Sequence, residues 1–117
     1  MIRDGHVALA RPKSTNQSTG KLRPILIVRR LPGRHDDWLV CMISSQISQR
    51  IVGFDEIINE TDEDFAQSGL RGPSLIRIGR LAVLEHREIV GSIGRISDHR
   101  LDEIKRKLGN WIRQSPA

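Results

Sequence analysis

Short apolar runs separated by turn-rich segments mark most of the chain. Residues 25–28 and 38–43 are rich in Ile and Val and flank a polar loop containing Pro32 and Gly33. Runs of this length and composition predict two strands of a β-hairpin. Residues 7–10 predict a short first strand, and residues 49–54 another short one. Residues 74–84 alternate in part, with Leu75, Arg77, Gly79, Leu81 and Val83 on one face and Arg80 on the other. Residues 89–96, with Gly91 and Gly94, predict a last strand with room for a bend or bulge. The period then changes. Leu101, Ile104, Leu108, Trp111 and Ile112 form one stripe at helical spacing, with Ser97 or Asp98 as the cap. Trp111 is expected in the core. The sum is five or six short strands, a terminal helix and one short internal helix. That pattern predicts a mainly β (α+β) fold, a small β-barrel with a helical cover.

The polar segments refine the picture. Residues 11–20, RPKSTNQSTG, are rich in turn formers and read as a loop whose side chains can donate and accept hydrogen bonds. A plain solvated connection is an equal reading. Residues 55–64 carry six carboxylates in one local run, with no histidine among them. A two-metal nuclease needs converging carboxylates. A solvated loop leading into a short helix near residues 63–67 is the better expectation.

The ends of the hairpin carry candidate chemistry. With the turn centred between Gly33 and Arg34, paired residue numbers sum to about 67 by antiparallel geometry, so Arg23 faces Ser44; a register slip of one residue pairs it with Ser45 or Ile43 instead. Directly opposed side chains share a face, with Cβ atoms roughly 4.5–5.5 Å apart. Pro24 keeps Arg23 extended and suits the start of a strand. A guanidinium and a hydroxyl held on rigid strands can grip a phosphate.

Composition narrows the class. At 117 residues the chain is expected to be one domain, residues 1–117, with a single core. No apolar run approaches the roughly 18 residues of a membrane span, and the N-terminus lacks the apolar core of a signal peptide. The single cysteine, Cys41, lies inside an apolar run and reads as a small buried hydrophobe. These features point to a reducing, cytoplasmic setting. Net charge is +5, and 15 of the 19 basic residues are arginine. Arginine's planar fork suits phosphate, so an anionic partner is expected, either nucleic acid or an acidic protein. Only 3% of residues are aromatic, which argues against a base-stacking platform.

The same residues resemble a known family. Lys21-Leu22-Arg23-Pro24 and the aliphatics after it resemble the "K-x-R-P-hydrophobic" strand of the PemK/MazF toxins, the ribonuclease components of bacterial toxin–antitoxin systems. Ile43-Ser44-Ser45-Gln46-Ile47 resembles their "I-[S/T]-S-Q-I" segment. Gly5-His6-Val7 resembles their opening "G-D-hydrophobic" strand, with His6 where Asp is usual. Gly69-Leu70, Pro73-Ser74-Leu75-Ile76-Arg77 and the segment Ile93-Gly94-Arg95-Ile96-Ser97 follow in the family's order. The resemblance implies an SH3-like barrel with a C-terminal α-helix, a homodimer, single-stranded RNA as substrate and a cognate acidic antitoxin. It also implies cleavage without a metal or other cofactor, leaving a 2′,3′-cyclic phosphate.

Such chemistry needs a proton removed from the 2′-OH, a stabilised phosphorane and a proton for the 5′-oxygen. Arg23 and Ser44 are the expected catalytic pair. Arg23 would stabilise the phosphorane, and Ser44 would hydrogen-bond a non-bridging oxygen. Lys21, Gln46, Arg77 and Gln17 are the candidate RNA contacts. The base is left open. The loop before Arg23 offers Asn16, Gln17, Ser18 and Thr19, none of them a useful base. His6 has a suitable ordinary pKa, but a structural histidine is an equal reading. His35, at the hairpin tip, is too far from Ser44, and His86 and His99 read as surface residues. Two competing functions stand beside the nuclease: a non-enzymatic toxin of the same fold acting on DNA gyrase, and an inactive RNA- or peptide-binding barrel.

Overall fold

The computed structural model of the chain describes residues 1–13 and 21–116. Among these described residues there are six strands: β1 His6–Ala10, β2 Arg23–Arg30, β3 Asp37–Ser44, β4 Glu56–Ile58, β5 Ser74–Glu85 and β6 Ile89–Arg95. Helix α1 spans Phe65–Ser68 and helix α2 Asp98–Arg113. Short 3₁₀ turns cover Ile47–Gln49 and His86–Glu88. All pairings are antiparallel, in the order β4-β5-β3-β2-β1-β6.

The four aliphatics Ile25, Leu26, Ile27 and Val28 are all buried, so both faces of β2 are covered. Leu26 and Val28 join Cys41, Ile43, Ile76 and Ile78 on one face, where Ile104 and Leu108 of α2 complete the cluster. Ile25 and Ile27 join Val40, Trp38, Leu84, Ala8, Ala10 and Ile89 on the other. Among the described residues no helix contributes to this second cluster. Burying two faces of one strand is the physical reason its sequence is a continuous apolar run rather than an alternating one.

The mainly β, α+β class expected from the sequence is what the structure has, with a C-terminal helix. The barrel is not closed by hydrogen bonds: among the described residues no ladder joins β4 to β6. Instead α1, which follows β4, lies against β6. The approach is backbone to backbone. A Cβ on Gly94 would stand 2.2 Å from the Gln67 carbonyl oxygen, and one on Gly69 would stand 2.1 Å from that of Ile93. Gly69 also has a φ of +74°, a left-handed conformation that glycine adopts without cost. The bulges expected in the last strand are present: Ile93 and Val90 have no partner where the β1–β6 register shifts.

Several expectations are overturned. Residues 49–54 form no strand. Ile51 and Val52 are exposed, and the chain turns so that Asp55 can accept the N–H groups of Ile51 and Ile78 at 2.9 and 3.1 Å. The acidic run is not a solvated loop. It contains β4, and Asp55 and Asp64 are buried. Trp111 is 55% exposed and Ile112 63% exposed, because α2 outruns the sheet after Leu108. Trp111 touches Phe54 instead, ring centres 6.0 Å apart. The single face expected along β5 is split as well. Between Arg77, opposite Met42, and Leu81, opposite Cys41, the register jumps. Arg77 and Leu75 keep the face of Met42 and Ser44, whereas Leu81 and Val83 oppose Cys41 and Leu39.

Candidate nucleic-acid interface

The β2–β3 pairing brings the candidate pair together. Ile25 opposes Met42, Leu26 opposes Cys41 and Ile27 opposes Val40, each pair in the register expected from the turn. A bulge at Val28 shifts the pairing only toward the hairpin tip. Continued two residues past Ile25 and Met42, the same register sets Arg23 opposite Ser44, on one face of the sheet. Both side chains are half-buried. Met42 also opposes Arg77, and Ser44 opposes Leu75, so Arg77 shares that face from β5. Arg23, Ser44 and Arg77 therefore share one face of three neighbouring strands.

The turn after β3 organises the rest. The Ser44 Oγ accepts the Gln46 N–H at 3.0 Å, which closes the chain tightly behind the strand and leaves the hydroxyl proton for another acceptor. The 3₁₀ turn then presents Gln49, whose Oε1 accepts a hydrogen bond from Arg77 Nη1 at 3.1 Å. Gln46, Gln49 and Lys21 are exposed. Gln49 was hidden in the sequence by the strand expected over residues 49–54. Gln17 lies outside the described residues.

Other candidates are placed elsewhere. His6 stands at the opposite end of β1 from Ala10, the residue paired with Arg23, about 13 Å away by strand rise. Burial, then the N-terminal amine, Arg3 and Arg95, push its pKa below the ordinary 6.5. Its Nδ1 is buried with no hydrogen-bond partner among the described residues. His86 pairs with Asp36 at 2.8 Å, and Asp36 also accepts from Arg30 and Trp38, a network that braces the hairpin tip. Burial and nearby Asp55 push the Cys41 thiol up to about 12, so it is inert.

The acidic segment is a structural clasp. Arg100, near the start of α2, donates to both oxygens of Asp64, to Asp62, to Glu56 and to the Ile57 carbonyl oxygen, at 2.8–3.1 Å. Lys107 adds a contact to Glu56 at 2.6 Å, and Ser97 N–H donates to Asp64 at 3.0 Å. Burial alone would raise the Asp64 pKa. The hydrogen bonds from Arg100 and Ser97 outweigh it and hold the carboxyl below the ordinary 3.8. Among the described residues no three His, Cys, Asp or Glu side chains converge as metal ligands. No helix is long and apolar enough to cross a membrane among those residues.

A profile of the PemK-like, MazF-like toxins of type II toxin–antitoxin systems matches residues 3–112. The chain belongs to this family. Solved structures agree on the fold. The toxin MazF-mt6 of Mycobacterium tuberculosis is 18% identical, with 95% of this chain and 99% of that chain covered at a TM-score of 0.68. A MazE–MazF structure from Deinococcus radiodurans is 17% identical, with 97% of each chain covered at a TM-score of 0.68. A mycobacterial endoribonuclease in complex with its cognate antitoxin is 13% identical, with 99% of this chain and 100% of that chain covered at a TM-score of 0.67. Curated protein sequences contain no match.

Proposed function

We propose that this PemK/MazF family member is a metal-independent endoribonuclease toxin that cleaves single-stranded RNA. The observation that supports the reading is the β2–β3 register at Ile25–Met42, whose continuation by two residues sets Arg23 opposite Ser44, with Arg77 opposite Met42 on the same face. Arg23 meets the charge that develops on the phosphorane, where a preorganised donor acts most strongly. Ser44, its oxygen already accepting the Gln46 N–H, donates its proton to a non-bridging oxygen. Arg77 holds a neighbouring phosphate, and Lys21, Gln46 and Gln17 contact the flanking nucleotides. The products carry a 2′,3′-cyclic phosphate and a 5′-hydroxyl.

The partners follow from the same face. Two copies form a homodimer whose joined surface accommodates several nucleotides. An acidic antitoxin occupies the basic face and competes with RNA, as charge complementarity favours. A cytoplasmic, reducing setting suits the buried, unpaired Cys41.

The test is single-turnover cleavage of a fluorescent RNA in excess EDTA, with the product ends identified by mass. Cleavage at full rate with cyclic phosphate ends is expected. Activity that disappears with chelator and returns with Mg²⁺ refutes the mechanism. A folded chain that cleaves no RNA but inhibits DNA gyrase points to the non-enzymatic toxin instead. Light scattering that finds an active monomer refutes the dimer.

A further inference from the structure

The end of β1 is held from an unexpected direction. Ala10 has Arg23 of β2 on one side and Ile89 of β6 on the other. Just beyond it the chain meets Glu88. The Glu88 carbonyl oxygen accepts the Arg11 N–H at 2.9 Å. Its carboxylate Oε1 accepts the Lys13 N–H at 2.9 Å, and Oε2 accepts the Glu85 N–H at 2.7 Å. Glu88 is 9% exposed. A carboxylate so buried needs hydrogen-bond donors, and here two main-chain amides supply them.

Only one of those amides belongs to the local turn. Glu85 and Glu88 form a reciprocal capping box around the 3₁₀ turn, and Oε2 completes it. Oε1 does nothing for the turn. It reaches a residue 75 positions away in sequence, on the segment that leaves β1 next to Arg23. Each oxygen accepts one main-chain amide. It also lines a surface groove of about 390 Å³ with Lys13, Asp37, Val83, Glu85 and Arg87. Its action runs through backbone.

We propose that Glu88 is a positioning residue for the RNA site: by clamping Arg11 and Lys13 it holds the end of β1 against Arg23 and so sets the place of that guanidinium. The inference rests on the nuclease reading of Arg23. A displacement of about 1 Å at a reacting group costs on the order of a hundredfold in rate, so a loosened clamp is felt in turnover.

Two variants test it from opposite sides. Glu88→Gln keeps the size but removes the charge that strengthens both amide contacts, the one to Lys13 included, and Lys13→Pro deletes the Lys13 donor. Each should lower single-turnover cleavage at saturating RNA by about 10- to 100-fold. Affinity for an uncleavable RNA should move by less than about threefold. The double variant should be no slower than the slower single one, because both act on the Lys13 contact. In NMR, Glu88→Gln should speed exchange of the Lys13 amide by about tenfold or more and shift the Arg23 Nε–H resonance. Native-rate cleavage by either folded variant, losses that multiply, or losses that follow melting temperature alone overturn the proposal. If the unaltered chain cleaves no RNA, the nuclease reading fails, and the NMR measurements still decide the clamp. An unmoved Arg23 signal then overturns it, and a shifted one supports it.

Discussion

Two arginines in this chain stand in opposite settings. Arg100 has a side chain only 13% exposed and is ringed by Asp64, Asp62 and Glu56. Its charge is neutralised inside the protein, and it ties α2 to β4 and the segment after it. Arg23 begins a strand, half-buried and opposite a hydroxyl, on a face shared with another arginine. The same fork-shaped cation serves architecture where carboxylates converge on it. On a strand face shared with a hydroxyl and a second arginine, its planar fork has the shape that suits phosphate. The number of arginines in a sequence therefore overstates the positive charge left at the surface.

Substitutions can break that contrast. The largest effect is expected at Arg100→Ala, which strands buried carboxylates. Loss of one partner from a buried ion pair typically costs about 3–5 kcal/mol, a large share of a small domain's stability. Urea denaturation measures it, and cleavage per folded molecule should stay near normal. A variant as stable as the parent would show that the clasp is incidental.

Arg23→Ala should give the mirror image. Cleavage should fall by about 10²–10³ or more, as when a preorganised donor to an oxyanion is removed, with an unchanged melting curve. Arg23→Lys should restore little, because an ammonium cannot reproduce a two-pronged contact. Near-normal cleavage by a folded Arg23→Ala chain would mean that the site lies elsewhere.

Ser44→Ala should cost less than Arg23→Ala and should lower turnover more than RNA affinity. Ser45 lies in the bend just past the end of β3 and is exposed, so Ser45→Ala should retain more activity than Ser44→Ala. Equal losses at the two positions would remove the argument from register.

The smallest effect is expected in acid. The folded-state pKa of Asp64 is lowered below 3.8, so its contribution to stability is fully present above the unfolded value. It is lost as pH falls through the lowered folded value. Stability measured by denaturation should therefore decline below about pH 4. Asp64→Asn should be less stable at neutral pH and should show a shallower decline. A parallel decline in both chains would assign the acid sensitivity to other carboxylates.

Local patterns in the sequence were enough for the hairpin, its register at Ile25–Ile27 and the capped terminal helix. Each depends on near neighbours: alternation, a turn, a cap, or spacing along one helix. The Ser97 side chain caps α2 by accepting the Arg100 N–H, as the sequence indicated.

What the sequence could not decide depended on segments distant along the chain. Whether residues 55–64 are solvated depends on Arg100, which reaches Asp64 across 36 positions. Whether Trp111 is buried depends on where the sheet ends beneath α2. The slip in β5 arises from pairing with β3, since alternation within one strand carries no record of a partner's bulge. The open gap between β4 and β6 was set by two glycines that let α1 approach β6 backbone to backbone. In each case the deciding energy lies in a contact between distant segments, and local periodicity does not encode it.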